Sequence, residues 1–141
     1  MAFISDNDRN LLRLEFHKLV QPIKLVLFTQ EENCTYCTET KQLLEEIASL
    51  TTKITVETYS LDTDKEKASE FQIDKAPATV VMDGKDYGIR YFGIPAGYEF
   101  GSLIDDILDI SSGESGLAKT TKEALAKLTR PLHFQVFVTP T

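Results

Sequence analysis

Apolar positions along the chain change period several times, and each change marks an element. Leu11, Leu12, Phe16, Leu19 and Val20 fall at helical spacing. Ser5 and Asp8 precede them as a side-chain cap and an early carboxylate, and Pro22 stops the helix. Ile23 to Thr29 (IKLVLFT) is short, almost wholly apolar and rich in β-formers, so it reads as a strand buried on both faces. After a loop from Gln30 to Asn33, Leu43, Leu44, Ile47 and Leu50 form the buried stripe of a second helix. Lys41, Gln42, Glu45 and Glu46 form its wet face.

Ile54 to Leu61 alternates in part and reads as a strand. Asp62 to Phe71 reads as a short helix opened by Asp62 or Thr63. Ala76-Pro77 introduces a strand from Ala78 to Met82. Asp83-Gly84 reads as a tight hairpin turn, because both residues tolerate positive φ, and Tyr87 to Gly93 is the returning strand. Pro95 and Gly97 break the chain, and Phe100, Leu103, Ile104, Ile107 and Leu108 mark a last amphipathic helix. The order α-β-α-β-α-β-β-α predicts a mixed sheet covered by helices.

The run Ser111 to Gly116 has linker composition and predicts a boundary. Beyond it, Leu117 to Leu128 is a helix pattern, and after Pro131 the segment Leu132 to Val138 has a strand pattern. At the offset that superposes Pro22 on Pro131, Phe16 meets Leu125, Lys18 meets Lys127 and Leu19 meets Leu128. Leu25 then meets Phe134, Leu27 meets Val136 and Phe28 meets Phe137. The expected organisation is therefore one unit over 1–114, then the linker helix and first strand of a truncated second copy over 115–141. The chain reads as ending between repeats. Left unpaired, the Leu132 to Val138 strand would swap, pair with another chain into a homodimer, or lie disordered.

Composition narrows the function classes. The 141 residues are 42% hydrophobic and 26% charged, an ordinary soluble balance. The net charge of −7 argues against nonspecific binding to nucleic acid or anionic lipid. The first residues lack the basic start and apolar stretch of a signal peptide. No apolar run approaches the roughly 18 residues that span a bilayer. The expected location is cytoplasmic, where a close cysteine pair is catalytic or metal-binding more often than structural.

The only two cysteines are Cys34 and Cys37, between a strand and a helix. Residues three apart on a helix share a face, so these sulfurs can close a disulfide. Free backbone N–H groups and the positive end of the helix dipole favour thiolate at Cys34, the expected attacking sulfur. Cys37, one turn further in, is the expected resolving sulfur. Glu31 and Glu32 precede the motif and oppose the thiolate if they lie close, so a moderate redox potential is expected. The redox-active disulfide itself is the only cofactor expected, and no metal.

These residues resemble the glutaredoxin-like protein disulfide oxidoreductases of thermophilic bacteria and archaea, which carry two tandem thioredoxin folds. The matching stretches are Cys34 to Leu43 (CTYCTETKQL), Asp74 to Thr79 (DKAPAT) and Asp83 to Gly97 (DGKDYGIRYFGIPAG). The ending Val136 to Thr141 (VFVTPT) looks like the approach to the family's second cysteine motif. The resemblance implies an α/β thioredoxin-like three-layer fold with a mixed four-stranded sheet. It implies disulfide exchange on protein substrates, and electron transfer between a thioredoxin-reductase-like flavoenzyme and peroxiredoxin-like acceptors. It further implies that Pro77 is a cis-proline opposite the cysteine loop, with the backbone of Ala76 offered to an extended substrate. Thr35 and Tyr36, between the sulfurs, complete the expected substrate contacts.

Three other readings use the same residues. A glutathione-dependent glutaredoxin fits Tyr36 and the absence of Trp before Cys34, but Ala76-Pro77 replaces its usual Thr-Val-Pro. Zinc or an iron–sulfur cluster would have to be shared between two chains, because two thiols do not make a closed site and His17 and His133 lie in other elements. A noncatalytic binding module would have no need of an intact cysteine pair. The carboxylate pairs Glu45-Glu46 and Asp105-Asp106 read as solvated helix faces. Tyr87, Tyr91, Phe92 and Phe100 read as core or sheet-face residues.

Overall fold

A computed structural model describes residues 2–139. Four strands form one sheet in the order β2-β1-β3-β4: β1 Ile23–Thr29, β2 Ile54–Ser60, β3 Ala78–Met82 and β4 Asp86–Phe92. β1 and β2 are parallel, with Thr29 level with Ser60. β3 runs antiparallel to both β1 and β4. Helices α1 (Asp6–Phe16), α2 (Cys37–Ala48) and α4 (Tyr98–Ser112) cover one face, and α3 (Lys65–Glu70) covers the other. The mixed sheet covered by helices that the element order predicts, and the three-layer α/β fold that the resemblance implies, are both present: the central strands β1 and β3 are buried on both faces.

The side chains divide by strand alternation. Leu25 and Leu27 join Leu12, Phe16, Leu44, Ile47, Leu103 and Ile107 in the larger core. Val26 and Phe28 point the other way, against Leu61, Phe71, Ile73 and Val80. Phe28 is fully buried and lies with its ring centroid 5.7 Å from Tyr59 and 5.8 Å from Phe71. Thr79 is also fully buried, and its hydroxyl is a buried side-chain group without a hydrogen-bond partner among the described residues.

Several local expectations need correction. Leu11 is exposed on α1, so its stripe is narrower than the spacing suggested, and the helix ends at Phe16, which leaves Val20 outside it and exposed. α3 opens at Asp64, whose carboxylate accepts from the Ser60 N–H, whereas Asp62 accepts from the Glu31 N–H. The β3–β4 turn has three residues. Only Gly84 takes positive φ, and Asp83 caps the Lys85 N–H with its side chain. Ser111 is not linker but the buried end of α4. Its hydroxyl donates to the Gln21 carbonyl and accepts from the Val20 N–H, and this joins α4 to the entry of β1.

The carboxylate pairs are not simply solvated either. Glu46 accepts from the N–H groups of Phe3 and Ile4 and from Arg9, so it fastens the N-terminal segment to α2. Asp106 accepts from the Tyr91 hydroxyl, and burial together with that carboxylate pushes the phenol upward. Tyr87 and Phe92 are exposed on edge strand β4, while Tyr91 and Phe100 pack against the larger core.

On the same edge, Arg90 grips Asp86 with Nη1 to Oδ1 at 2.8 Å and Nη2 to Oδ2 at 2.6 Å. It also donates to the Phe71 carbonyl. This guanidinium holds the Asp86 carboxyl at about 2, against a smaller opposing effect of burial. The unfolded value is about 3.9, so the clasp stabilises the fold above about pH 4 and is lost as pH falls toward 2. Asp86 is partly exposed, which limits the effect to below about 1 kcal/mol. Asp86→Asn should therefore be less stable than wild type to urea at pH 5, and the difference should shrink as pH falls through about 2.

After Gly113 every described residue is exposed. A short helix, α5, runs Lys119–Ala126 rather than over the full Leu117 to Leu128 pattern. The expected strand from Leu132 to Val138 does not form, and Phe134, Val136, Phe137 and Val138 are each more than 80% exposed. A strand exists by pairing with a neighbour, and the described residues offer this segment none. Pro140 and Thr141, the end of the resemblance, lie outside the described residues.

Candidate active site

One end of the sheet gathers the residues that carry the chemistry. β1 ends at Thr29 and leads into the cysteine loop. The parallel strand β2 ends beside it, and the Leu61 N–H donates to the Thr29 carbonyl at 2.8 Å. Asp62 then holds the start of the cysteine loop through the Glu31 N–H. Because Ala78 pairs with Phe28, Pro77 stands at this same end. β4 finishes there as well, with the Gly93 N–H donating to the Pro77 carbonyl at 2.9 Å. Open α/β sheets bind ligands outside the carboxyl ends of their parallel strands, and Cys34 follows one of them.

Cys34 and Cys37 are joined in a disulfide, with Cα atoms 5.6 Å apart. Only Cys37 is helical. It is the first residue of α2, whereas Cys34 lies in the loop before it. Two non-glycine residues of the loop take left-handed φ, Asn33 before Cys34 at 56° and Tyr36 before Cys37 at 69°. Asn tolerates this conformation and Tyr does so rarely. Burial separates the sulfur-bearing residues: Cys37 is 8% exposed, and Cys34 is half-buried. Thr35, Tyr36, Glu31 and Glu32 are exposed.

The Ala76-Pro77 peptide is cis, with Pro77 buried and Ala76 half-buried. Structure therefore brings Cys34, Cys37, Ala76 and Pro77 to one end of the sheet. His17 and His133 are exposed and outside it. Among the described residues no group of three or more His, Cys, Asp or Glu side chains is placed to hold a metal ion. No helix among them is long and apolar enough to cross a membrane.

Two contributors were not anticipated. Asp62 anchors the loop entry, a role no local pattern announces. Thr40 is fully buried and donates from Oγ1 to the Tyr36 carbonyl at 2.7 Å. A hydroxyl at a stripe position, between Cys37 and Leu43–Leu44, was its available signal.

A bonded Cys-x-x-Cys at the start of a helix, at the same end of a β2-β1-β3-β4 mixed sheet as a cis-proline, defines a thioredoxin-fold redox protein. The chain's sequence and structure match the tandem thioredoxin-fold disulfide oxidoreductases. A protein disulfide oxidoreductase from Aeropyrum pernix is similar with a TM-score of 0.78 and 30% identity, over 88% of this chain and 55% of that one. The NTD_N/C domain of alkylhydroperoxide reductase AhpF from Enterococcus faecalis is similar at 0.77 and 31% identity, over 86% and 59%.

By sequence, the alkyl hydroperoxide reductase AhpF of Staphylococcus epidermidis is 32% identical over 103 residues, 73% of this chain and 18% of that protein. The chain thus spans less than a fifth of the length of that curated relative. A thioredoxin from Fasciola hepatica, 20% identical with a TM-score of 0.51, shares the fold. No protein-family model matches the chain.

Proposed function

We propose that this chain exchanges disulfides with protein substrates, with Cys34 as the attacking and Cys37 as the resolving sulfur. The observation that carries the reading is the unequal burial of a bonded cysteine pair at the open end of the sheet. In the reduced protein the Cys34 thiolate attacks a substrate disulfide. That bond breaks, a mixed disulfide forms, and one substrate thiolate leaves with a proton from solvent. Cys37 then loses its proton and attacks the Cys34 sulfur, which releases the second substrate thiol and closes the Cys34–Cys37 bond. The N-terminus of α2 favours the thiolate throughout.

In this reading Thr35 and Tyr36 touch the substrate, and the Ala76 backbone beside Pro77 pairs with its extended chain. No cofactor beyond the cysteine pair is needed. Electrons arrive from a dithiol on a thioredoxin-reductase-like flavoenzyme and pass to a peroxiredoxin-like acceptor. The names of the alkyl hydroperoxide reductase relatives support that placement. A cytoplasmic location accords with such partners. Residues 115–141 are read as the start of a second thioredoxin-like unit whose first strand finds its partners outside the described residues, in a homodimer if nowhere else.

Trapping the intermediate tests the mechanism. Cys37→Ser leaves the mixed disulfide unresolved, so incubation with a disulfide-bearing protein should accumulate a covalent adduct through Cys34. Non-reducing electrophoresis and peptide mass mapping would detect it. A variant that forms no adduct yet retains exchange activity would contradict the resolving role.

A further inference from the structure

Thr40 interrupts an otherwise apolar face. The buried residues of α2 are Cys37, Thr40, Leu43, Leu44 and Ile47, and Thr40 is fully enclosed one turn beyond Cys37. Most buried hydroxyls are hydrogen-bonded, and this one donates to the Tyr36 carbonyl at 2.7 Å. The same carbonyl accepts the Thr40 N–H at 2.9 Å. Inside a helix such a bond to the fourth preceding residue is commonplace. Here the acceptor belongs to the residue that turns the chain into the helix, in a left-handed conformation and with no side-chain cap. Thr40 thereby grips the peptide that separates the two cysteines from within the core.

That peptide unit has a second end. Its carbonyl is Tyr36 and its N–H is that of Cys37, the first residue of α2. The N–H groups of a first helical turn have no intrahelical acceptor. A donor on the carbonyl polarises the peptide and strengthens its N–H as a donor in turn.

We propose that Thr40 is a positioning residue for the redox pair: its hydroxyl fixes and polarises the Tyr36–Cys37 peptide so that the Cys37 N–H stabilises the Cys34 thiolate when the disulfide opens. The proposal rests on the exchange function above. Opening consumes two electrons from an external dithiol. The S–S bond breaks, Cys34 becomes the thiolate, and Cys37 takes one of the two protons the dithiol gives up. The other proton goes to solvent, and the dithiol becomes a disulfide.

Thr40→Val removes the hydroxyl at nearly constant shape, and the Tyr36 carbonyl keeps its backbone donor. Thr40→Ser restores the hydroxyl. With Thr40→Val, the pH midpoint of Cys34 alkylation by iodoacetamide should rise, and the equilibrium with dithiothreitol should move toward the protein disulfide by about threefold. Thr40→Ser should return both to wild type. Thr40→Ala serves if the valine variant does not fold. A purely structural role would lower the unfolding temperature and leave midpoint and equilibrium unchanged, and that result overturns the proposal. So does failure of the serine variant to restore them. If wild-type Cys34 itself fails to react, the exchange reading falls and takes this proposal with it.

Discussion

Replacing Cys34 by serine abolishes the dithiothreitol-driven reduction of insulin disulfides that the wild-type chain should catalyse, leaving only the uncatalysed background. A serine hydroxyl has the right size, but at neutral pH it supplies no anion and forms no bond to sulfur that a second thiol could displace. Cys37 should not take over, because it is 8% exposed against the half-buried Cys34 and sits in the first turn of α2. The turbidity of precipitating insulin B chain reports the rate directly. Unchanged unfolding of Cys34→Ser under reducing conditions separates loss of chemistry from loss of fold. Full activity in this variant would remove Cys34 as the nucleophile.

The second large effect is on stability. Phe28→Ala empties the smaller core, where the ring is fully buried between Tyr59 and Phe71. Truncating a buried Phe costs about 3–5 kcal/mol, from lost transfer free energy and the cavity left behind. That is a large part of the roughly 5–15 kcal/mol that holds a domain together. The unfolding midpoint should fall by roughly 15 °C or more. Phe137→Ala is the control: that ring is 90% exposed, and its removal should change stability by less than about 0.5 kcal/mol. Equal destabilisation by the two variants would contradict the assignment of 28 to the core and of 137 to a segment outside it.

These two phenylalanines occupy matched positions in the apparent repeat, and together they explain what sequence could convey. Ile23–Thr29 and Ala78–Met82 were legible to the residue because a short, mostly apolar run fits a strand buried on both faces. Leu132 to Val138 carries the same kind of pattern and forms no strand, because pairing is a property of neighbours and not of the segment. Periodicity also overreached at Leu11, which faces outward on α1, and at Val20, which lies beyond the end of the helix at Phe16.

Polar side chains were the least legible. Glu46, Asp106 and Ser111 looked like wet surface or linker. Each makes a contact distant in sequence, to the Phe3–Ile4 backbone, to Tyr91 and to the entry of β1 respectively. Local propensity carries no record of such partners. At the site, the cysteine spacing and Ala76-Pro77 were readable as a motif. The left-handed turn at Tyr36 and the hidden grip of Thr40 emerge only in three dimensions.

The most direct measurement is the order in which the two thiols of the reduced protein react. With limiting iodoacetamide at pH 7 and peptide mass analysis, Cys34 should take nearly all of the label, faster than an unstructured cysteine does, while Cys37 stays protected. Equal labelling of both, or a Cys34 slower than free cysteine, would contradict the account.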